Sequence, residues 1–186
     1  MNRLSEYEPV ARHKAPAGSG LVGAALLCLS LFVSSAPSAF AEDGCTVTQT
    51  SDPLRQIITC GEAITIEREP AADITIFKPR GDAPPRVVEL LGGALFVTVK
   101  PGSARPEIKT PHAIAAVRGT TYVVDAGADL TSVFVIEGSV DVSKIDSGGS
   151  VTLGPGDGID VHTDQPLSAA QWPADRAAAL LARFGR

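Results

Sequence analysis

From Thr46 to Val161 apolar residues alternate with polar ones in short runs, and no stretch repeats its apolar positions at helical spacing. "RQIITC", "AITIERE" and "DITIFK" predict three strands, the last two with Ile64/Ile66 and Ile74/Ile76 set between polar neighbours. "PRGDAPPR" (79–86) cannot continue a strand, because proline removes ladder donors, and is a turn or exposed loop. The Arg80-Gly81-Asp82 tripeptide inside it is ordinary turn chemistry.

Two longer phrases follow. "VVELLGGALFVTV" (87–99) joins two apolar runs across Gly92-Gly93, and "TSVFVIEGSVDVS" (131–143) joins two across Glu137-Gly138. Aligning Gly93 with Gly138 places Leu95 opposite Val140 and Val97 opposite Val142. This is a strand–tight turn–strand unit used twice, and "VTLGPGDGIDV" is a looser third case. Two or three loose copies do not define a repeat protein. The expected fold is all-β: a short-strand jelly roll or sandwich, or a β-solenoid-like domain. Only the tail changes character. In "LSAAQWPADRAAALLARFGR", Ala177, Leu180, Leu181 and Phe184 fall at i, i+3, i+4 and i+7, which predicts a C-terminal amphipathic helix within residues 166–186. Covering an edge or end of the β-domain suits it better than a membrane, since Arg176 and Arg183 make a thin basic face.

The N-terminus changes what counts as the domain. Arg3, Arg12 and Lys14 precede the apolar run Leu21 to Val33, and Ala39-Phe40-Ala41 supplies a small-residue cleavage site. That order is a secretory signal peptide over residues 1–41, cut between Ala41 and Glu42. The run is short of the roughly 18 to 20 apolar residues that spanning requires, so no membrane span is expected in the mature chain. Removing residues 1–41 from 186 leaves 145, the size of one domain, with the β-part over 42–165. Residues 1–41 hold three of the 16 basic and two of the 21 acidic residues, so the remainder carries 13 against 19, net −6. Nucleic-acid binding normally needs a basic face, and none is visible. Of three cysteines, Cys28 leaves with the signal. Cys45 and Cys60 remain in an oxidising compartment, where a structural disulfide is expected.

The stretches "IKTPHAIAAVRGTTYVVD", "TSVFVIEGSVDVS" and "SVTLGPGDGI" occur in that order and together resemble the FecR domain over roughly residues 87–160. The matching positions are Thr110, Pro111, Ala113, Val117, Arg118, Gly119 and Thr120, then Thr131, Val133, Val135, Gly138, Val140 and Val142, then Leu153 and Gly156. The resemblance implies an all-β domain outside the inner membrane, in the periplasm or released from the cell. The best-known members are halves of membrane-spanning regulators that relay a transporter's signal to a cytoplasmic sigma-factor-binding segment. Here the 20 residues before the apolar run are too few for such a segment, which argues against sigma-factor regulation by this chain itself.

Arg118, set between Val117 and Gly119, has two readings. It either grips a ligand's carboxylate or phosphate, or it is half-buried and paired with Asp125, Glu137, Asp141 or Asp157; the structural pairing is the expectation. Catalytic chemistry is sparse. His112 and His162 lack an HxH or HExxH setting, and no GxSxG, P-loop or GxGxxG occurs. No catalytic residue, metal or cofactor is therefore expected. The function expected is a non-catalytic exported binding module of the cell envelope, engaging a protein or other envelope component and contributing to signalling or assembly. A metal-dependent or hydrolytic enzyme on a jelly-roll scaffold, using His112, His162, Asp157 or Asp160, is the alternative. A sensor that passes its signal to a separate membrane receptor is another.

Overall fold

Apolar alternation changes phase part-way along one long strand, Val87–Val99, and the fold follows from that change. A computed structural model describes residues 7–9, 40–42, 45–79, 83–103, 105–146 and 148–186; the rest of the expected leader, Cys28 and Arg80–Asp82 lie outside the described residues. The first six strands are β1 (Tyr7–Pro9), β2 (Phe40–Glu42), β3 (Cys45–Ser51), β4 (Leu54–Cys60), β5 (Ile64–Arg68) and β6 (Asp73–Pro79). Next come β7 (Val87–Val99), β8 (Glu107–Lys109), β9 (Ala113–Val117), β10 (Thr121–Ala126) and β11 (Leu130–Glu137). The chain ends with β12 (Val140–Lys144), β13 (Ser150–Leu153), β14 (Asp157–His162), β15 (Ala170–Gln171) and the helix α1 (Ala174–Ala182).

β7 organises the rest. Its first half pairs with β6 and β8, and its second half with β5 and β10. One arm of the sheet (arm A) therefore runs β13-β12-β9-β8-β7-β6-β1, and the other (arm B) runs β2-β3-β4-β5-β7-β10-β11-β14-β15. The arms fold over one shared core: Val88, Leu90, Ile108, Val117, Val140, Val142 and Leu153 from arm A meet Ile66, Leu95, Val97, Tyr122, Val133, Val135 and Ile159 from arm B. Only β7–β8 is parallel among the described pairings, so the layout is a curled, sandwich-like half-barrel rather than a solenoid.

The parity of the core residues records the switch. In β7 the even positions Val88 and Leu90 are inside, then the odd positions Leu95, Val97 and Val99. Between them the register slips, with Asp73 opposite Gly92 and Ile74 opposite Leu90, and the skipped Leu91 is left exposed. This corrects the expected tight turns. β7 is one 13-residue strand through Gly92-Gly93, and β11 and β12 do not pair with each other. Gly93 and Gly138 have positive φ (78° and 87°), but each turns the chain from arm B or A into the opposite arm, so its flanking strands never meet as a hairpin. Gly119 and Gly156 (φ 62° and 83°) mark two more such corners.

The tail also differs from expectation. Helix is confined to 174–182; the rest of 166–186 before it is non-helical, with the short strand β15 at Ala170–Gln171, and Pro173 disfavours helix at Trp172. Leu167 and Ala169 of this piece pack against the main core before α1 crosses the outer face of arm B. Cys45 and Cys60 stand directly opposite across β3 and β4 and are joined in a disulfide. Ala41 and Glu42 lie in β2, paired with Thr46 and Cys45. Among the described residues no helix is long and apolar enough to cross a membrane.

Candidate functional site

The signature residues assemble into two stitches and a corner stack. Thr110 begins a turn after β8. Its Oγ donates to the Ala113 carbonyl (3.0 Å) and accepts from the Ala113 N–H (2.9 Å) and the His112 N–H (3.3 Å). The Thr131 hydroxyl of β11 donates to the same oxygen across the sandwich (2.8 Å), and the buried His112 ring places Nδ1 3.2 Å from Thr131. Thr110 and Thr131 are buried, so these bonds join arm A to arm B in a setting where an unpaired hydroxyl would be penalised.

The second stitch lies at the β9–β10 corner. The buried Thr120 Oγ donates to the Ser139 carbonyl (2.7 Å) and accepts the Ser139 N–H (3.1 Å), and the Thr120 carbonyl accepts from Val99 N–H (2.9 Å). The β11–β12 corner thus rests directly on the β9–β10 corner. Gly138 makes the approach possible, since a Cβ there would stand inside contact distance of the Gly119 carbonyl oxygen and 2.9 Å from Thr120 Cα. Val117 is buried at the end of β9, and Gly119 packs against Pro101. Gly156 receives the C-terminal segment: its carbonyl accepts from Trp172 N–H (3.0 Å) and its N–H donates to Val135 (2.9 Å).

Arg118 departs from its expected pairing. It is exposed at the β9–β10 corner, and no acidic side chain among the described residues bonds it. The four candidate acids are placed otherwise. Asp125 binds Arg183, Asp141 accepts from Thr152, Asp157 accepts from Gln171 and the Gly154 N–H, and Glu137 is exposed. The phase of the strand explains this: Val117 faces the core, so its neighbour at the corner faces out. Pro111 is exposed as well.

A second surface carries no sequence motif. Ala94, Phe96, Val123 and Phe134 form an apolar bed on the outer face of arm B, and Leu180 and Phe184 of the C-terminal segment fill it. Trp172 stacks on Phe134 with ring centres 5.3 Å apart. Gly158 admits this indole, for a Cβ there would occupy its position. Acidic residues ring the bed. Glu67 accepts from Arg55 (2.7 Å) and Arg186 (2.5 Å), Glu69 and Asp125 share Arg183, and Asp160 takes Arg176 (2.6 Å) and the Ser132 hydroxyl (2.6 Å). Burial works to raise the Asp160 pKa, but the hydrogen bonds and charge of Arg176, the Ser132 bond and the His162 charge outweigh it, holding the carboxyl below its ordinary value. Burial likewise works against the Arg183 charge, and its bonds to Glu69 and Asp125 more than compensate. A shallow cleft of about 300 Å³ opens beside the helix, lined by Asp125, Ser132, Trp172, Arg176 and Arg183 among others. The sequence signal for this surface is the polar phase of "AITIEREP": Glu67 and Glu69 occupy the face opposite Ile64 and Ile66.

Residues 57–141 match the family model described as FecR protein. The chain carries a FecR domain. The Thr110–Thr131 and Thr120–Ser139 bonds both lie within that span. Two crystal structures from Parabacteroides distasonis, at 2.50 and 1.65 Å resolution and described as a candidate anti-sigma factor, are similar in fold. Each shares 19% identity at a TM-score of 0.50, covering 78% of this chain and 64% of the other. This chain thus spans less than two thirds of the length of those neighbours. No curated protein matches the sequence. Among the described residues no group of three His, Cys, Asp or Glu side chains is placed to hold a metal ion.

Proposed function

We propose that this chain is a non-catalytic exported interaction module of the bacterial cell envelope, binding a protein or other envelope component and contributing to envelope signalling or assembly. The FecR domain supports the compartment and the signalling class. The observation that carries the binding role is Arg118: a permanently charged fork presented to solvent from a corner whose backbone is fixed by the Thr120–Ser139 bonds. A guanidinium held this way suits bidentate recognition of a carboxylate or phosphate on the partner. The neighbouring structures' description as a candidate anti-sigma factor fits a signalling output, which this chain would deliver through a separate membrane protein.

The test is capture from envelope extract with the purified exported protein and its Arg118→Ala variant, each checked for an unchanged melting curve. Capture of one component by the wild type and its loss with Arg118→Ala supports the reading; no specific component on the wild type overturns it. Export itself is tested by the N-terminal sequence of the protein recovered from the periplasm or medium, expected to begin at Glu42 after cleavage at Ala41.

A further inference from the structure

We propose that the outer face of arm B is a receptor for a basic amphipathic helix, and that α1 is its resident occupant, displaced when a partner's helix of the same chemistry takes its place. The proposal rests on the interaction-module reading and adds the surface, the kind of partner and the means of control.

The bed is built for a helix with a particular charge. Without α1, Phe96, Val123 and Phe134 would face solvent, ringed by Glu67, Glu69, Asp125 and Asp160. Of these four, Glu67 keeps Arg55, and Glu69 keeps a neutral partner, the Ala94 N–H at 2.8 Å. Three carboxylates then lack a cation. α1 and its flanks supply three, Arg176, Arg183 and Arg186, around two large apolar side chains one turn apart, Leu180 and Phe184. Arg186 also lies over the Phe96 ring (3.8 Å) and Arg176 over Trp172 (3.6 Å). A helix that is apolar at i and i+4 with arginines on both sides is what this surface selects, and an acidic one is repelled.

The resident is a short element whose ion pairs reach solvent. α1 has nine residues, and Pro173 at its start makes no side-chain cap. Helices of this length are marginal without a packing partner. Its own buried side chain is Leu180, with Phe184 just beyond its end. The arginines in its ion pairs are 35 to 43% exposed, so competing ions and competing helices reach them. The β-core closes without α1, since the arms' shared cluster contains neither Leu180 nor Phe184.

Trp172, the single tryptophan, reports whether the resident is docked. The probe is a dye-labelled peptide of residues 173–186, titrated into full exported wild-type protein, the Phe184→Ala variant and the Arg183→Glu variant. Arg183→Glu turns α1 against Glu69 and Asp125 without touching the core, so the test stands if Phe184→Ala folds poorly. Both variants are expected to keep the strand circular dichroism, to shift Trp172 emission to the red, and to bind the peptide about ten-fold or more tighter than wild type, because the bed is no longer occupied in most molecules. Raising the salt concentration, or replacing the peptide's three arginines by glutamate, should abolish binding. Folded variants with red-shifted emission that bind the arginine and glutamate peptides equally overturn the proposal. So do variants whose Trp172 emission stays that of the wild type. Failure here with successful envelope capture leaves the module reading intact; peptide binding without any captured component leaves the docking surface and removes the module reading.

Discussion

Gly138→Ala should destabilise this protein far more than removal of the charge at Arg118. Alanine at φ 87° enters a backbone region that L-residues avoid, which costs about 1–2 kcal/mol. Its methyl group would also press on the Gly119 carbonyl and on Thr120, whose Cα and Oγ lie 2.9 Å from the added carbon. Relieving that contact separates the two corners, and the two Thr120–Ser139 bonds are lost with it, at about 0.5–1.5 kcal/mol each. The expected loss is about 3–4 kcal/mol, a large share of the roughly 5–15 kcal/mol that holds a domain of this size. Urea unfolding followed by the far-UV strand signal measures it, and an unchanged m-value ensures that the comparison is of native stability. Arg118→Ala, exposed and without an ionic partner, should stay within about 0.5 kcal/mol of wild type. Thr120→Val in the Gly138→Ala background should add little, because the bonds it removes are already gone. A loss below about 1 kcal/mol for Gly138→Ala, or fully additive effects, would refute the nested-corner account.

Other substitutions probe separate parts of the structure. Tyr122 is wholly buried in the main core with its hydroxyl unbonded, and burial drives its phenol pKa upward; Tyr122→Phe should therefore raise stability by up to about 1–2 kcal/mol, and a clear loss in thermal melts would contradict an unpaired hydroxyl. Replacing Cys45 and Cys60 by alanine removes a cross-link between residues 15 apart, expected to lower stability by about 3 kcal/mol in chemical denaturation; retention of full stability would refute it. Asp160 has a lowered pKa in the folded state, so its contribution is present above the ordinary carboxylate range and is lost as pH falls through the lowered value. Acid titration of Trp172 emission should show undocking in that window, and Asp160→Asn should remove the transition's dependence on this group.

What the sequence disclosed was the inside of the molecule. Alternation at Ile64/Ile66, Val133/Val135 and Val140/Val142 marks core positions, because one face of each strand meets the opposite arm. The glycines joining these runs were also visible, but their role was not. Positive φ is shared by hairpin turns and by corners, and only the pairing partners tell them apart; at Gly93 and Gly138 those partners are strands distant in sequence. The phase shift from Leu90 to Leu95 did carry the distinction, since a strand continuing flat would keep its parity. The bed beneath α1 was less legible. Its acids come from β5, β10 and β14 and the segment after β5, so no local spacing unites them. The helix period predicted an amphipathic segment without naming the face that receives it.

Placement of the signature separates what identifies this domain from what such a domain recognises. Thr110, Val117 and Thr120 are buried, and Gly138 and Gly156 act through backbone conformation and close approach. These positions hold the two arms together, so a match to them reports the fold and is silent about the partner. Arg118 and Pro111 are the exposed side chains of the stretch 108–125, and of the two the guanidinium alone offers directed hydrogen bonds. On the proposed reading, discrimination among partners rests on Arg118 and on surfaces outside the signature, such as the acid-ringed bed under α1. Substituting Arg118 by lysine keeps the charge and removes the planar fork. A partner recognised through paired oxygens would be lost with Arg118→Lys, whereas one drawn only by charge would be retained.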